Sequence, residues 1–313
     1  MEPVKRRRVS ADPFVVYPNK GTTCYIGVVL QMLSAAGCTA YVPAELAEYL
    51  RTGRGNCADI FNRVVKPHQQ HLRGVHGDPH EAFLAIVDAC AGLERRFGGS
   101  LSSVVHCLEH RGALDLPRTV PFTALVTAIS ERKAGSTGKL IVDFFAEEKL
   151  TGVDCSTCRK QVDASKLNTL VLESIAEYWP VYINRGETNA KCSQPVTLTT
   201  GFKLPYGAVF RLLAVVVHLG KHKDSGHYVC YRKHGGRWWR VDDGTATAAA
   251  LNAYLTEETV QPGQPRADRA ILLLPPATGW KHAPTRRFAL LLADDIAGTL
   301  RALRSAATPA IAL

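Results

Sequence analysis

The spacing of apolar residues divides the chain into a helical part and a strand-rich part. Between residues 19 and 97, apolar residues recur at helical intervals in VVLQML, PAELAEYL, CADIFNRVV and HEAFLAIVDAC. From about residue 98 to residue 274, alternating aromatic and β-branched residues indicate strands, and Lys133-Ala-Gly-Ser-Thr-Gly138 indicates a turn. The pattern therefore predicts a helical lobe followed by a mainly β region.

The two ends of the chain differ from this pattern. Residues 1–13 are predicted to form a disordered basic arm. Residues 275–313 form a tail in which Arg287 to Arg304 carries apolar residues at helical spacing on one face. Such a helix is expected to pack on its own domain. The alternative is a docking helix for a partner protein or a regulatory lid.

One hairpin in the β region combines a histidine with two aspartates. HYVCYRK and RWWRVDD alternate as strands do, and residues 234–236 (His-Gly-Gly) supply the turn. If residues 234 and 235 form a two-residue turn, His227 lies opposite Asp242. If residues 235 and 236 form it, His227 lies opposite Gly244. In both registers Asp242, and not Asp243, shares a face with His227, whereas an odd-length loop would reverse that choice.

Cys24 is the candidate nucleophile because a loop gives way there to an apolar run with helical spacing. A helix N-terminus favours a thiolate, so the position predicts that Cys24 is activated before any base arrives. Taken alone, a buried helical cysteine is the ordinary alternative. His227 and Asp242 change that balance, because a base and a carboxylate that orients it complete a catalytic set.

Composition sets outer limits on function. The chain has 313 residues, 46% of them hydrophobic, which is enough for a sizeable core. Nine cysteines without a signal peptide predict a reducing, intracellular compartment, and no apolar run reaches the roughly 20 residues that span a bilayer. The net charge of +10 favours acidic surfaces, but no basic helix face supports nucleic acid as the primary ligand. Lys5-Arg6-Arg7-Arg8 predicts nuclear import, with a solvated tail as the alternative.

A second group of residues has the spacing of metal ligands. Cys155 and Cys158 have the Cys-x-x-Cys spacing of a zinc knuckle, and Cys107 with His110 is the upstream pair that matches it. His106 is a poorer ligand candidate, because strand alternation points it away from the face of Cys107. The remaining cysteines are expected to pack in the core: Cys38, Cys57, Cys90, Cys192 and Cys230.

Several of these segments, in order, resemble the ubiquitin-specific protease family, the papain-like deubiquitinases. GTTCYIGVVLQ is similar to the family's first box GNTCYMNSVLQ, and GHYVCY with WWRVDD is similar to its second box. HGDPHEAFLAIVDAC resembles the family's QQDAHEF helix start. The resemblance runs from about Tyr17 to about Leu274.

This resemblance implies an α+β, papain-like cysteine protease fold in residues 14–274. Its parts would be a helical thumb at about 14–97, zinc-ribbon fingers at about 98–204 and a β-rich palm at about 205–274. Cys24 and His227 then belong to different lobes, so the active site is expected in a cleft between them.

The resemblance also assigns roles to single residues. Cys24 is implied to be the nucleophile, His227 the general base and Asp242 its orienting partner. Asn19 matches the position whose amide helps to form the oxyanion hole, although a plain turn residue explains it equally well.

Two acidic residues match positions along the channel for the extended ubiquitin tail. They are Asp78 and Glu81, and Asp78 also suits a helix cap before Pro79. The chain departs from the family pattern at Gly27, Gly77, Ala82 and residues 183–186, and none of these positions belongs to the implied triad.

The implied cofactor is a structural zinc ion. FGGSLSSVVHC and FFAEEKLTGVDCSTCRKQVDASK resemble the two halves of the family's zinc ribbon, with Cys107, His110, Cys155 and Cys158 as ligands. The alternative is a decayed site in which the cysteines only pack. No cofactor is expected in the chemistry itself.

The sequence thus predicts a thiol-dependent deubiquitinase that acts on ubiquitin and ubiquitinated proteins, with no membrane association. Two alternatives remain open. One is an isopeptidase for another ubiquitin-like modifier such as SUMO, and the other is a catalytically silent ubiquitin-binding scaffold.

Overall fold

A computed structural model describes the part of the chain that carries the predicted helices, strands and site residues. The basic arm except Pro13, the C-terminal helix, Cys192 and residues 185–186 lie outside the described residues. The described ranges are 13–19, 21–65, 77–114, 116–129, 135–171, 176–184, 196–198, 201–203, 209–222, 225–249 and 270–274.

Most described helices come before residue 95, as the apolar spacing predicts. They are α1 (Cys24–Ala35), a 3-10 helix (Cys38–Tyr41), α2 (Ala44–Thr52), α3 (Cys57–Val65), α4 (Pro79–Ala89), α5 (Ala91–Glu94) and, later in the chain, α6 (Thr137–Phe144). Local sequence sets their ends. Gly53, with φ of 64°, ends α2 in the left-handed region, and Pro79 begins α4 at the position where a missing N–H costs nothing.

Of the predicted turn at Lys133–Gly138, residues 133 and 134 lie outside the described residues, and the described remainder is a short strand followed by α6, which begins at Thr137. The Ser136 hydroxyl caps α6 by accepting a hydrogen bond from the Lys139 N–H at 3.1 Å. Leu140 and Ile141 are then buried against the sheet. The Gly, Ser and Thr content that signals a turn here serves the start of a helix.

Strands fill the rest of the described chain. They are β1 (Gly99–Cys107), β2 (Arg118–Phe122), β3 (Leu125–Ala128), β4 (Gly135–Ser136), β5 (Glu148–Cys155), β6 (Lys160–Val171), β7 (Trp179–Asn184), β8 (Val196–Thr197), β9 (Gly201–Lys203), β10 (Val209–Arg211), β11 (Ala214–His222), β12 (Ser225–His234), β13 (Arg237–Asp242), β14 (Thr245–Ala249) and β15 (Ala270–Leu274).

A seven-stranded sheet among the described residues holds the hairpin that carries His227. Its order is β14-β13-β12-β11-β15-β7-β3, and every pairing is antiparallel except that of β3 with β7. Both faces are covered. The helices pack on one face, where Tyr228, Cys230 and Val241 join the first core, and α6 packs with the second core around Trp179 on the other. Helices and antiparallel strands are segregated, which confirms the predicted α+β class.

A four-stranded sheet, ordered β2-β1-β6-β5, has little core of its own. Most side chains of β1 are only half-buried, and those of β5 are mainly exposed. Its buried cluster is small and consists of Cys107, Cys155 and Val162. Apart from the end where Leu101, Phe122 and Leu170 join the second core, burial of apolar side chains therefore contributes little to the stability of this sheet.

Cysteines without ligand spacing lie in the interior. The four described members of that set, Cys38, Cys57, Cys90 and Cys230, are free thiols and are buried, as predicted. Among the described helices, none combines the length and the apolar character needed to cross a bilayer.

Candidate active site and metal cluster

Cys24 is the first residue of α1, and the loop before it is held by Asn19. The Asn19 Oδ1 accepts hydrogen bonds from the backbone N–H of Thr23 at 3.1 Å and from its hydroxyl at 2.9 Å. Gly21, with φ of 95°, allows the tight loop between them. The loop therefore brings the Cys24 thiol to the helix start, where only 6% of the residue is exposed.

The prediction that the helix terminus alone activates Cys24 is wrong. Burial raises the pKa of the Cys24 thiol, the backbone N–H of Tyr228 lowers it, and the charge of Asp243 raises it further. The first-turn amides of Cys24 and Tyr25 lower the pKa as well, but the net direction is upward. Desolvation of a thiolate outweighs the end of one helix dipole, so the pKa of Cys24 moves in the direction opposite to the predicted one.

The hairpin adopts the second of the two predicted registers. Gly235 and Gly236, with φ of 55° and 76°, form the turn, so that Cys230 pairs with Val241. Asp242 consequently shares a face with His227, and His227 Nε2 lies 2.7 Å from Asp242 Oδ1. That geometry is the one an orienting carboxylate requires.

Arg240 is a further partner of this pair that sequence reasoning missed. Its Nη2 lies 2.6 Å from Asp242 Oδ2, so the two carboxylate oxygens face different donors. Partial burial raises the pKa of Asp242, but the hydrogen bond from His227 and the positive charge of Arg240 outweigh it and lower the pKa. Strand alternation places residue 240 on the face of residue 242, which is the signal that the sequence offered.

Asp243 also reaches the site, from a backbone with φ of 48°. Its Oδ2 accepts a hydrogen bond from Asn19 Nδ2 at 3.4 Å and lies 3.9 Å from His227 Nε2. Of its two amide hydrogens, Asn19 therefore turns one towards Asp243. The sequence predicted that Asp242 is the partner of His227 but gave no role to Asp243.

One cleft joins the loop, the helix start and the end of β13. Asn19, Thr23, Cys24 and Asp243 line it together. The backbone N–H of Tyr228 lies close enough to Cys24 to lower the thiol's pKa, and Tyr228 directly follows His227. The chain thus brings together the cysteine segment and the histidine segment, which are far apart in the sequence.

Asp78 is a helix cap, which is one of the two interpretations that the sequence allowed. Its Oδ1 accepts from the His80 N–H at 2.8 Å, and its Oδ2 accepts from the Tyr182 hydroxyl at 3.1 Å. The ring of His80 stacks on Tyr182 at 4.2 Å. Glu81 follows in the first turn of α4 and is exposed.

The departures from the family pattern have local consequences. A side chain at Gly77 would meet the ring of Tyr25, since an added Cβ would lie 2.5 Å from its nearest ring atom. Ala82 is fully buried in the first core. Gly27 lines the cleft, and a Cβ there would approach only the Tyr17 carbonyl, at 3.9 Å.

The four predicted metal ligands converge at one end of the four-stranded sheet. The ligand atoms of Cys107, His110, Cys155 and Cys158 all lie within 4.8 Å of one another. The sulfurs of Cys107 and Cys158 are 3.8 Å apart, and His110 Nδ1 lies 3.5 Å from the sulfur of Cys155 and 3.4 Å from that of Cys158. This cluster, which could bind a metal, does not include His106.

The chemistry of this donor set favours a cation. Burial raises the pKa of the Cys107 thiol, but the amides of His110 and Glu109 and the neighbouring thiols outweigh it and lower the pKa to about 7. Burial and the neighbouring thiols of Cys155 and Cys107 raise the pKa of Cys158 to about 12. A divalent cation at this cluster would favour the thiolate form of its cysteines.

Comparisons with known proteins agree with this architecture. Residues 17–273 match the family model described as ubiquitin carboxyl-terminal hydrolase. Human ubiquitin carboxyl-terminal hydrolase 17-like protein 12 is 25% identical over 294 residues, which cover 77% of this chain and 53% of that protein. Human ubiquitin carboxyl-terminal hydrolase 42 is 29% identical over 303 residues, which cover 77% of this chain and 22% of that protein. The chain thus spans about half the length of the first of these relatives, and less of the second.

Solved structures share the fold. A SAGA DUB module bound to monoubiquitin contains a chain with a TM-score of 0.67 and 17% identity, covering 85% of this chain and 70% of that chain. A chain of the SAGA Ubp8/Sgf11/Sus1/Sgf73 DUB module bound to ubiquitin aldehyde has a TM-score of 0.66 and 18% identity, and the match covers 88% of this chain and 72% of that chain. Because the family model matches most of this chain, the chain belongs to the ubiquitin carboxyl-terminal hydrolase family.

Proposed function

We propose that the chain is a thiol-dependent deubiquitinase, which hydrolyses isopeptide or peptide bonds after the C-terminal glycine of ubiquitin. The observation that carries the proposal is the hydrogen bond between His227 on β12 and Asp242 on β13, with β12 packed against the helix headed by Cys24. Membership of the family supports the same activity. The proteins named as relatives are ubiquitin hydrolases, and the similar structures hold ubiquitin, which supports ubiquitin over a modifier such as SUMO.

The first step is transfer of the Cys24 proton to His227. With its Nε2–H donated to Asp242, the imidazole keeps a lone pair on Nδ1 that can take the thiol proton. Because burial raises the pKa of Cys24, the thiolate forms only as the imidazolium forms, and the charge of Asp242 stabilises that imidazolium.

The thiolate then attacks the glycine carbonyl carbon, and the carbonyl oxygen becomes an oxyanion. Donors for it are the backbone N–H groups at the start of α1 and the amide hydrogen of Asn19 that does not face Asp243. One well-placed donor of this kind lowers a barrier by roughly 3 kcal/mol.

Collapse of the tetrahedral intermediate breaks the bond to the leaving amine, which takes its proton from His227. The product is a thioester between ubiquitin and Cys24. Water, deprotonated by His227, hydrolyses that thioester and restores the thiol. Asp78 and Glu81 are proposed to lie along the channel for the ubiquitin tail, in addition to the cap that Asp78 provides.

We further propose that the Cys/His cluster holds a structural zinc ion. In a tetrahedral site, zinc lies about 2.3 Å from sulfur and about 2.1 Å from nitrogen, so sulfur pairs are about 3.8 Å apart and sulfur–nitrogen pairs about 3.6 Å. The distances of 3.8, 3.5 and 3.4 Å in this cluster match those edges. Four protein ligands leave no open position, so zinc would stabilise the four-stranded sheet and take no part in the chemistry.

The basic run at residues 5–8 supports a proposal of nuclear import. A fluorescent fusion of the full chain is expected to concentrate in nuclei and to lose that concentration when the four basic residues become alanine. Equal distribution of both fusions would overturn this proposal.

Hydrolysis by the full chain tests the activity. Ubiquitin and SUMO, each carrying a fluorogenic amide at its C-terminus, are the two substrates, and Cys24→Ala is the control. The proposal predicts release from ubiquitin that depends on Cys24, with little release from SUMO. Preference for SUMO would favour the other isopeptidase class, and ubiquitin binding without hydrolysis would favour a scaffold.

A further inference from the structure

Arg232 is a buried cation at the interface between the strand of the base and the helix of the nucleophile. It lies on β12, five residues after His227, and only 4% of the residue is exposed. Because side chains alternate along a strand, Arg232 points towards the helices, as Tyr228 and Cys230 do. Its guanidinium therefore contacts α1 and not the solvent.

The contacts of Arg232 join three segments of the chain. Its Nη1 donates to Gln31 Oε1 at 2.9 Å and to the Ser34 hydroxyl at 3.2 Å, and both acceptors lie on α1. Its guanidinium lies 4.2 Å from the centre of the Phe14 ring. Gln31 also donates from Nε2 to the Val15 carbonyl at 3.1 Å, so the segment that leads to the active-site loop is part of the same unit.

Charge pairing does not explain this arginine. In the described part of the chain no carboxylate lies within salt-bridge distance of its guanidinium, and its Nε is buried without a hydrogen-bond partner. Burial lowers the pKa of Arg232, because a charge held away from water is unfavourable.

We propose that Arg232 is a positioning residue, which fixes α1 against β12 and thereby fixes the Cys24 thiol relative to the His227 imidazole. The proposal rests on the proposed function, because the position of the thiol matters for activity only if Cys24 reacts. Arg232 does not touch the reacting atoms. It acts through Gln31 and the rigid helix between Gln31 and Cys24.

The geometry of α1 makes this coupling direct. Gln31 follows Cys24 by seven residues, which is nearly two helical turns, so both lie on about the same face and about 10.5 Å apart along the axis. A slide or roll of the helix at Gln31 therefore moves Cys24 by a similar amount. Misplacement by about 1 Å can cost about 100-fold in rate when two groups must meet in a defined geometry.

The test uses Arg232→Met, Arg232→Lys and Gln31→Leu in the full chain. Leu140→Ala is the matched control, because it opens a cavity in the second core on the opposite face of the sheet. The first readout is kcat and KM on ubiquitin with a fluorogenic C-terminal amide. The second is the rate at which iodoacetamide alkylates Cys24 over a series of pH values, followed by peptide mass spectrometry.

The second readout reports the Cys24–His227 geometry without ubiquitin. The titratable groups near the thiol, Tyr25 and Asp243, are unchanged in all four variants, and so is the His227–Asp242 pair. A shift of the alkylation profile therefore reports displacement of the thiol. A destabilised but correctly positioned protein would keep the wild-type profile.

Arg232→Met leaves the buried Gln31 Oε1 without its donor, so it is expected to melt at a lower temperature, as the Leu140→Ala control does. Unlike that control, it is expected to lose about 10- to 100-fold in kcat at an unchanged KM and to shift its alkylation profile to higher pH, towards that of His227→Ala. Arg232→Lys should fall between Met and wild type, and Gln31→Leu should repeat the Met result. Combining Arg232→Met with Gln31→Leu should add little, because the two residues act as one unit.

A wild-type alkylation profile and kcat in Arg232→Met would overturn the inference, as would an equal loss of kcat in Leu140→Ala. If Arg232→Met does not fold, wild-type behaviour of Arg232→Lys in both assays overturns it equally. If the wild-type chain does not hydrolyse ubiquitin and the alkylation profile still shifts, the positioning role is supported and the proposed function is refuted.

Discussion

Replacing Asp242 by asparagine tests which groups donate and which accept hydrogen bonds around His227. Asparagine has the same shape but offers one acceptor and one donor group in place of two acceptors. In the protein, Asp242 Oδ1 accepts from His227 at 2.7 Å, and Oδ2 lies 2.6 Å from Arg240 Nη2. Arg240 is a donor only, so the asparagine carbonyl is expected to turn towards Arg240 and its NH₂ towards His227.

That orientation places the imidazole in the wrong tautomer. With an NH₂ group facing Nε2, the imidazole nitrogen that accepts is Nε2, and its proton moves to Nδ1. Nδ1 then cannot take the proton of Cys24. An amide in place of a triad carboxylate costs on the order of 10⁴-fold in kcat when the wrong tautomer results.

A second substitution separates the tautomer effect from loss of the charge. In Asp242→Asn with Arg240→Met, the asparagine is free to turn its carbonyl towards His227 and to restore the tautomer. The remaining loss is that of one charge-assisted hydrogen bond, about 1.5–2 kcal/mol in this partly exposed pair. That energy corresponds to a loss of about 10- to 30-fold relative to wild type.

The assay is kcat/KM on ubiquitin with a fluorogenic C-terminal amide, with Arg240→Met alone as the control. Ubiquitin affinity, measured in a Cys24→Ala background, should be the same in every variant. The reasoning predicts that the double variant is at least about 300-fold more active than Asp242→Asn, because a loss of about 10⁴-fold becomes one of about 10- to 30-fold. Equal activities of the single and double variants would refute the argument that Arg240 orients the asparagine and so sets the tautomer of His227.

Three further predictions follow from the site, the metal cluster and the channel. In His227→Ala, the Cys24 thiol should titrate above the usual cysteine pKa of about 8.5, because burial raises its pKa; iodoacetamide alkylation measures this, and a midpoint below that value contradicts it. Cys155→Ala should lose stoichiometric zinc in elemental analysis and melt at a lower temperature, whereas zinc retained at full stoichiometry would exclude this ligand set. Gly77→Gln should cost roughly 1–3 kcal/mol of unfolding free energy in urea, because its side chain overlaps the Tyr25 ring; a neutral result would disprove that overlap.

The hairpin could be predicted from the sequence because its turn is strongly determined. Gly235 and Gly236 favour the positive φ angles of a two-residue turn, and strand alternation then decides that Asp242 faces His227. The choice between two registers needed the structure. Either register gave the same partner, so the prediction did not depend on that choice.

Burial is the main property that the sequence did not reveal. The helix that begins at Cys24 was predicted, but the depth of the thiol was not, and that depth reverses the expected direction of its pKa shift. Arg232 is a similar case. Strand alternation places it on the helical side, yet nothing in the sequence indicates that its charge is buried against Gln31 without a carboxylate.

Helix α6 shows how composition misleads about local structure. Gly138 and the neighbouring Ser and Thr residues are typical of turns, and in isolation they would favour one. The apolar residues Leu140 and Ile141 bury against the second core, and tertiary packing then outweighs local propensity. Ser136 contributes to the helix as its N-cap.

Covalent capture of ubiquitin tests the central claim most directly. The full chain is mixed with ubiquitin that carries a vinyl-type electrophile at its C-terminus, and intact and peptide mass spectrometry locate the adduct. The account predicts one ubiquitin per chain, attached at Cys24, with no adduct in Cys24→Ala. An unlabelled wild-type chain, or attachment at any other cysteine, would contradict it.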